Sequence, residues 1–492
     1  MKTKARIIFF YFIGIALIIS SCFPRESEVK PEMQIQIPTS ASVTATSTPL
    51  SPNIDEPAVA DAVSPVKPLG GIHLHYPVQA YWIDSVIKSG LRWTRLDIFF
   101  WDKIEPQKQN PPRYDWSQVD EASIIQLSDN GIQLIAGILF TPEWAQKYPG
   151  VACGPIAEAE IERFAEFMSA LVKRYSQPPY NIKVWEIGNE PDIDHTFVSP
   201  RSGFGCWGDR YDPYYGGGYF AKILQAVHPR IKEADPEAML LPGGLLLDCD
   251  PSHPTSDQNE ANGECLSGLF LEGVIQAGGG AYIDGISFHG YDYYDNQLGQ
   301  YANKNWNSTW QTTGPVWVTK LAYLRSLLDK AGIQNLPFYL TELATICGRD
   351  GSEEYCRTSD LQQTKAIYAV QSMAIAKAEK LEAIIWYGIE GWRASGMLQQ
   401  GKPLPIYTAM SFFEMKMDGA EYMRQVQEFT NIRGYVFSQA GQEMWILWSI
   451  DEDPQPIELS ELPKAIYNVE GQEILPLSKT IEMTVSPVYI FW

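Results

Sequence analysis

"IKVWEIGNE", residues 182–190, is the stretch on which the prediction of the fold rests. It begins as an apolar, β-branched run of the kind that forms a buried strand. Two carboxylates, Glu186 and Glu190, interrupt that run. Charged side chains are rarely fully buried unless they are paired, so both residues require either a partner or a function.

Runs of the same character recur along the chain. Near-continuous hydrophobic runs are typical of parallel strands that are covered on both faces. Amphipathic helical patterns lie between most of them, as in residues 156–176 and 359–380. The predicted strands are 70–76, 91–99, 132–140, 182–190, 238–247, 282–290, 337–344 and 382–390.

Strands that alternate with helices eight times over residues 69–418 predict a (β/α)8 TIM barrel. A doubly wound open sheet is the alternative, but it usually has fewer strands and often has a glycine-rich phosphate loop. The "GGG" triplets at 216–218 and 278–280 are not in the strand–GxGxxG–helix context of such a loop, so we interpret both as ordinary loops.

The last part of the chain, residues 419–492, has a different pattern. Short segments of alternating apolar and polar residues are separated by turn residues. This pattern predicts a small C-terminal antiparallel β domain. We expect this domain to pack against the barrel rather than to bind a ligand.

The N-terminus has the pattern of a processing segment. Three basic residues precede an apolar run at 7–19, which is shorter than the roughly 20 residues of a membrane span. Small residues then precede Cys22, so residues 1–22 resemble a bacterial lipoprotein signal, in which this cysteine is lipidated. An ordinary secretory peptide and an uncleaved anchor are the alternatives.

The segment that follows, residues 23–68, is rich in Pro, Ser, Thr and Ala. Such a composition cannot bury enough apolar surface to offset its ordering entropy, so a disordered tether is predicted. Together, the two segments predict an exported lipoprotein, held by a lipid anchor to a membrane at the cell surface or in the periplasm.

Six further cysteines suggest disulfides, because an even number is common in exported proteins. Proximity in sequence favours Cys249–Cys265 and Cys347–Cys356, which leaves Cys153–Cys206. Free buried thiols are the alternative. No CxxC spacing is present in the sequence, so no metal site is predicted.

The overall charge narrows the choice of partner. The 492 residues have a net charge of −21, which argues against nucleic acid or an anionic membrane surface as a partner. Aromatic residues make up 12% of the chain. These features fit a protein that acts on neutral ligands.

Polar residues at the ends of the predicted strands carry most of the functional information, because the active site of such a barrel lies at the C-terminal ends of its strands. Four predicted strands have them there: Arg95 and Asp97 on the second, Asn189 and Glu190 on the fourth, His289 and Tyr291 on the sixth, and Glu342 on the seventh. Two facing carboxyl groups suit glycoside hydrolysis. A separation of about 5–5.5 Å gives retention of configuration, and one of about 6.5–9.5 Å gives inversion.

This pattern resembles the clan A glycoside hydrolases, which are retaining enzymes on (β/α)8 barrels. Their Asn-Glu pair matches Asn189 and Glu190, and their nucleophile matches Glu342. The C-terminal β domain is similar to that of family 39 relatives. The third strand, "GILFTPEW", does not have the histidine found in some clan members, which argues against the cellulase family 5 pattern.

The resemblance implies that Glu190 is the acid/base and that Glu342 is the nucleophile. Nearby Arg95 and Tyr291 would keep Glu342 ionised, and the charge of Glu342 would keep Glu190 protonated. The remaining predicted substrate contacts are Asn189 to the sugar 2-hydroxyl, His289, the stacking platform Trp386 or else Trp392, and Trp144 in the third loop.

Some of these residues also have a purely structural interpretation. Asn-Glu-Pro can also start a helix, and Glu186 would be a structural ion-pair partner of Arg95. His73 and His75 alternate to one side of the first strand but are weak evidence for a metal. The predicted function is therefore a cofactor-free retaining glycosidase that acts on a poly- or oligosaccharide. A transglycosylase and a non-catalytic glycan-binding lipoprotein are the alternatives.

Overall fold

The computed structural model describes residues 68–253, 265–303 and 308–492. The predicted signal segment with Cys22, and the predicted tether up to residue 67, lie outside the described residues. Within the described ranges, no helix combines the length and the apolar character that crossing a membrane would require.

Eight parallel strands form the centre of the molecule. Neighbours in chain order pair with each other from the first strand to the fifth and from the sixth to the eighth, and the eighth pairs with the first. A parallel bridge between Leu245 and Phe288 links the fifth strand region to the sixth and closes the cylinder. The predicted (β/α)8 barrel is therefore confirmed. Its strands are β1 Gly70–Leu74, β2 Trp93–Phe100, β3 Gln133–Leu139, β4 Val184–Ile187, β5 Met239–Leu241, β6 Ile286–Tyr294, β7 Phe338–Ile346 and β8 Ala383–Trp386.

Helices surround this cylinder, and local capping fixes several of their ends. The Asp120 side chain accepts a hydrogen bond from the backbone N–H of Ser123 at the start of α3, and Thr358 caps α8 in the same way. The two helical patterns noted above correspond to α4 and α8. The helices are α1 Ala80–Ser89, α2 Trp101–Ile104, α3 Glu121–Asp129, α4 Ile161–Tyr175, α5 Gly217–Ala234, α6 Phe270–Gln276, α7 Val316–Lys330, α8 Ser359–Ala378 and α9 Pro405–Met417.

Alternate side chains of each strand point into the barrel. Near the amino ends of the strands they form one apolar cluster, here called the lower layer: Trp93, Ile135, Val184, Leu241, Tyr339, Ala383 and Ile385. Two residues further along three of these strands, the side chains are polar and buried. We call Arg95, Glu186 and Thr341 the upper layer.

Antiparallel strands follow the barrel, as predicted. In spatial order, the larger sheet consists of Glu421–Gln425, Ile432–Gln439, Gln442–Ser449, Val488–Phe491 and Ala465–Tyr467, and Gln455–Glu458 pairs with Thr480–Met483. The ring of Tyr489 meets that of Phe412 on α9 edge-on, with the centroids 5.1 Å apart. Gln371 on α8 donates a hydrogen bond to the carbonyl of Val485. The sheet is thus packed on barrel helices.

Three disulfides form: the two pairs that proximity in sequence favoured, and the pair of cysteines that these leave. Cys153–Cys206 ties the loop after β3 to the loop after β4. Cys347–Cys356 ties the end of β7 to the turn that precedes α8, and Cys249–Cys265 joins two loop residues that follow β5. All three bridges lie in connections that leave the C-terminal ends of strands.

Candidate active site

A cavity of about 490 Å³ opens at the C-terminal ends of the barrel strands. This is the end at which barrel enzymes place their chemistry. Its walls contain both predicted catalytic carboxyls and a ring of aromatic and apolar residues. The lining residues are His73, His75, Asp97, Asn189, Glu190, Gly203, Phe204, Leu246, Tyr291, Glu342, Ile346, Tyr387 and Trp392.

The guanidinium of Arg95 organises the floor of this cavity. It is fully buried, and its Nε donates to Glu186 Oε2 at 2.6 Å. Its Nη1 donates to Glu342 Oε1 at 2.6 Å, and its Nη2 donates to Asn189 Oδ1 at 2.8 Å. Glu186 also accepts a hydrogen bond from the Thr341 hydroxyl at 3.2 Å. The predicted structural pairing of Glu186 with Arg95 is confirmed.

An irregularity in β7 directs Glu342 into the cavity. Tyr339 and Thr341 face the barrel interior, so regular alternation would turn Glu342 outward. The pairing register with β8 shifts between Leu340 and Leu343, and that with β6 shifts between Phe288 and His289. A bulge of this kind re-aims side chains, which explains how Thr341 and Glu342 both reach the central cluster.

Glu190 is positioned by a turn beyond the end of β4. Its φ is +49°, a left-handed value that is uncommon outside glycine and that recurs at functional sites. Its backbone N–H donates to the carbonyl of Gly244 at 3.0 Å. A side chain on Gly244 would meet His289 Nε2 at 2.0 Å, so only glycine leaves room for this histidine beside the acid.

The two carboxyls are close together but have different surroundings. Three atoms lie within 4.8 Å of one another: one carboxyl oxygen of Glu190, one carboxyl oxygen of Glu342 and one ring nitrogen of His289. The Tyr291 hydroxyl donates to Glu342 Oε2. His289 Nδ1 lies 2.8 Å from Glu190 Oε1 and 3.5 Å from Glu342 Oε2.

These surroundings separate the protonation states of the pair. Burial raises the pKa of Glu342 to about 7, and the Arg95 guanidinium and the Tyr291 hydroxyl oppose that rise. Burial, and then the Glu342 charge, raise the pKa of Glu190 well above its usual value. Because only Glu342 contacts a guanidinium, the proton of the pair resides on Glu190.

Asn189 is held in one orientation beside the pair. Its Oδ1 accepts from Arg95, and its Nδ2 donates to the carbonyl of Gly203 at 3.1 Å. An amide nitrogen has two hydrogens, so one N–H of Asn189 is left for a ligand hydroxyl. The orientation agrees with the predicted contact to a sugar, which stays a prediction.

Two of the predicted substrate contacts are wrong. Trp386 follows the inward-facing Ile385 and therefore points outward, where it is fully buried against Tyr368 of α8. Its indole N–H donates to the carbonyl of Ser395. Trp144 packs edge-on against Trp101 and donates to the carbonyl of Glu105, away from the cavity lining.

The alternative platform, Trp392, does line the cavity and is 46% exposed. Its ring meets those of Tyr291 and Tyr387 edge-on, with centroids 6.5 Å apart in each pair. Tyr387 itself was missed by the sequence analysis. It is the residue after Trp386, so strict alternation along β8 would have identified it as the inward-facing aromatic residue.

Phe204 was also missed and no pattern in the sequence identifies it. It reaches the cavity from the loop after β4, which Cys206 of the first disulfide anchors two residues later. Leu246 and Ile346 add apolar surface to the walls. Ile346 is the last residue of β7, whereas Phe204 and Leu246 depend on loop paths that sequence periodicity does not encode.

Glu190, His289 and Glu342 are also the one group of potential metal ligands found among the described residues. A divalent cation there would lie next to the Arg95 guanidinium, which already contacts Glu342 Oε1. The repulsion between these two cations disfavours metal binding. The donor set therefore suits two carboxyls that act on a substrate better than it suits a metal.

No protein-family model and no curated protein matches this sequence. Solved structures match its fold. A family 39 glycoside hydrolase from the gut symbiont Bacteroides cellulosilyticus WH2 superposes with a TM-score of 0.62 at 17% identity, over 86% of this chain and 81% of that chain.

Two further solved structures cover 87% of this chain and 96% of their own. A family 30 endoxylanase from Clostridium papyrosolvens C71 matches with a TM-score of 0.54 at 11% identity. An alpha-L-arabinofuranosidase from Thermotoga maritima, in an arabinose complex, matches with a TM-score of 0.51 at 14% identity. The chain has the fold of the clan A glycoside hydrolases.

Proposed function

We propose that this protein is a retaining glycoside hydrolase in which Glu342 is the nucleophile and Glu190 is the acid/base. One observation carries the proposal: an oxygen of Glu190 lies within 4.8 Å of an oxygen of Glu342 at the strand-end rim. That upper limit agrees with the close pair of carboxyls, roughly 5–5.5 Å apart, that retaining enzymes use. It is shorter than the roughly 6.5–9.5 Å that leaves room for an attacking water in inverting ones.

In the first step, the ionised Glu342 attacks the anomeric carbon and forms a glycosyl ester. The bond from that carbon to the leaving oxygen breaks, and Glu190 gives its proton to this oxygen. Arg95 holds the attacking carboxylate in place through a 2.6 Å hydrogen bond. His289, whose pKa is lowered by burial, stays neutral beside Glu190.

In the second step, water attacks the same carbon. Esterification has removed the charge of Glu342, which is one of the two leading causes of the high pKa of Glu190. The pKa of Glu190 therefore falls, and its carboxylate can accept the proton of the water. Glu342 is released as a carboxylate, and the product keeps its configuration. The free N–H of Asn189 is positioned to donate to a sugar hydroxyl during both steps.

The test is hydrolysis of a panel of aryl β-glycosides and α-L-arabinosides by wild type, Glu342→Ala and Glu190→Ala. We expect Glu342→Ala to be inactive. Azide should rescue Glu190→Ala and give a glycosyl azide of retained configuration. Glu143→Ala is the matched control, because the Glu143 side chain is exposed and lies outside the cavity lining.

Other outcomes separate the alternatives. Variants that cleave as well as wild type would contradict both catalytic assignments. Glycan binding without cleavage by the wild type would favour the non-catalytic alternative, and transfer of the sugar to an added alcohol in preference to water would favour a transglycosylase.

We also propose that the protein is exported and anchored by lipid at Cys22, with residues 1–22 as signal and 23–68 as tether. The three disulfides support an oxidising compartment. Cys22→Ala should move the protein from the membrane fraction to the soluble exported fraction. A wild-type protein without an acyl group at Cys22 by mass spectrometry would contradict the anchor.

A further inference from the structure

The cavity is lined by acids without a matching cation. Asp97, Glu190 and Glu342 are its acidic residues, and the described lining contains no lysine or arginine. Its two basic residues are His73 and His75. Burial lowers the pKa of His73 to about 3 and also lowers that of His75, so both are neutral at physiological pH.

The buried cationic side chains beneath the cavity floor already donate hydrogen bonds to other protein groups. Arg95 donates through Nε, Nη1 and Nη2 to Glu186, Glu342 and Asn189. Lys320, the nearest buried lysine, donates to the carbonyls of Leu246 and His289. A carboxylate on a bound sugar would therefore enter next to Asp97 and Glu342 without a partner of opposite charge. Burial of an unpaired charge is strongly unfavourable.

Asp97 is the one acid of the cavity that the proposed chemistry does not use. Its Oδ1 is buried, 3.6 Å from Arg95 Nη2, in a space that exists because residue 137 is glycine; a Cβ there would lie 2.0 Å from this oxygen. Its Oδ2 lies 3.6 Å from His73 Nε2. Because Oδ1 is enclosed and the side chain is still 21% exposed, Oδ2 is the oxygen that faces the cavity.

The neighbouring histidine lines the same wall but is itself buried. His73 is 3% exposed, its Nε2 faces Asp97 Oδ2, and its Nδ1 lies 3.5 Å from Glu342 Oε1. Asp97 Oδ2 is therefore the atom of this pair that a ligand hydroxyl can reach. The hydroxyl donates to the carboxylate in a charge-assisted bond.

We infer, on the basis of the proposed glycosidase function, that the sugar bound beside Glu342 is neutral and that Asp97 selects it by accepting a hydrogen bond from one of its hydroxyls. Uronic acid residues are excluded from this position. Asp97 is thus a specificity-determining residue, separate from the acid/base and the nucleophile.

The first test compares substrates that differ only in a carboxylate. The aryl glycosides that wild type hydrolyses are paired with their uronide counterparts, for example β-glucoside with β-glucuronide and β-galactoside with β-galacturonide. We expect kcat/KM for the uronide to be lower by about 100-fold or more. A uronide that is hydrolysed as well as its neutral counterpart would overturn the inference and leave the proposed function intact.

The second test assigns the contact to Asp97. Monodeoxy analogues of the preferred glycoside are measured with wild type and with Asp97→Asn. We expect Asp97→Asn to lower kcat/KM for the parent glycoside by about 10- to 100-fold. One deoxy position should be penalised more in wild type than in the variant, because the amide oxygen of Asn accepts the same hydrogen bond without the charge of the carboxylate.

A purely structural role for Asp97 would give a different result. If the residue only supported Arg95, all deoxy penalties would persist in Asp97→Asn, and this outcome would overturn the assignment. Asp84→Asn, at an exposed position of α1, controls for the change of charge. If no glycoside of either class is cleaved and no fluoroglycosyl reagent labels Glu342, the proposed function itself fails.

Discussion

The two inward-facing layers of the barrel are built on the same strands but have opposite chemistry. Trp93 and Arg95 are two residues apart on β2, and Val184 and Glu186 are two residues apart on β4. The lower layer is a closed apolar cluster. The upper layer is polar, and its guanidinium also connects Glu186 to Glu342 and Asn189 in one buried network.

In this barrel, the lower layer contributes to stability and the upper layer supports the chemistry of the site. Apolar side chains in the lower layer are stabilised by removal from water, and each needs only neighbours of suitable shape. Polar side chains in the upper layer must be satisfied by specific partners. Several polar atoms at the rim are buried without a partner, among them Glu190 Oε2, His73 Nδ1 and His289 Nε2. These atoms have almost no accessible surface, so their missing hydrogen bonds are a cost to stability.

The largest effect is expected from Arg95→Leu in the upper layer. It leaves Glu186 buried without its cation and removes the partner that keeps Glu342 ionised. We expect kcat/KM to fall by about 10³-fold or more and the free energy of unfolding to fall by about 3–5 kcal/mol. Urea denaturation and steady-state kinetics measure the two effects. Wild-type activity in a folded Arg95→Leu variant would contradict the proposed role of the network.

The second-largest effect is expected in the pH dependence of kcat/KM. Glu342 must be ionised, and burial raises its pKa to about 7, so kcat/KM should fall about tenfold per pH unit below that pKa. Glu190 must be protonated, so activity should also fall at pH values above its raised pKa. With an activated aryl leaving group, Glu190→Gln should keep the acidic limb and lose the alkaline one. An unchanged alkaline limb would show that another group is the acid.

A smaller effect, on KM, is expected to distinguish Trp392 from Trp386. Trp392→Ala removes an aromatic face from the cavity wall, and we expect KM to rise by about fivefold, the equivalent of about 1 kcal/mol of ring contact. Trp386→Phe should leave KM unchanged, because Trp386 points away from the cavity. Steady-state kinetics on one substrate compare the two variants. The reverse result would restore Trp386 as the platform.

The smallest effect on activity is expected from the lower layer. Leu241→Ala leaves a cavity in the apolar cluster, and we expect the free energy of unfolding to fall by about 2–5 kcal/mol. At a temperature where the variant is fully folded, kcat/KM should stay within about twofold of wild type. A large loss of activity without unfolding would show that the two layers are coupled.

Much of this architecture could be predicted from the sequence. Apolar runs and intervening helical patterns identified all eight strands, because strands that are covered on both faces lack polar interruptions. The observed strands are often shorter than the runs: residues 182–190 contain only Val184–Ile187 as strand. Residues 188–190 of that run form the turn that carries Glu190.

The sequence identified site residues whose chemical type is diagnostic, but it did not show in which direction each side chain points. Glu190, Glu342, Arg95 and His289 were found because each is a polar residue within or directly after an apolar run that predicts a strand. The direction of Glu342 depends on a register shift in β7 that no periodicity reveals. Trp386 was misassigned although alternation along β8 was available, and Phe204 depends on a loop path.

In the proposed mechanism, Glu342 forms a covalent bond to the sugar. The most direct measurement is to incubate the wild type with the 2-deoxy-2-fluoro, dinitrophenyl form of its preferred glycoside and to map the labelled peptide by mass spectrometry. We expect one fluoroglycosyl group per chain, attached to the peptide that contains Glu342. A label on Glu190, or normal turnover to a product of inverted configuration without any label, would contradict it.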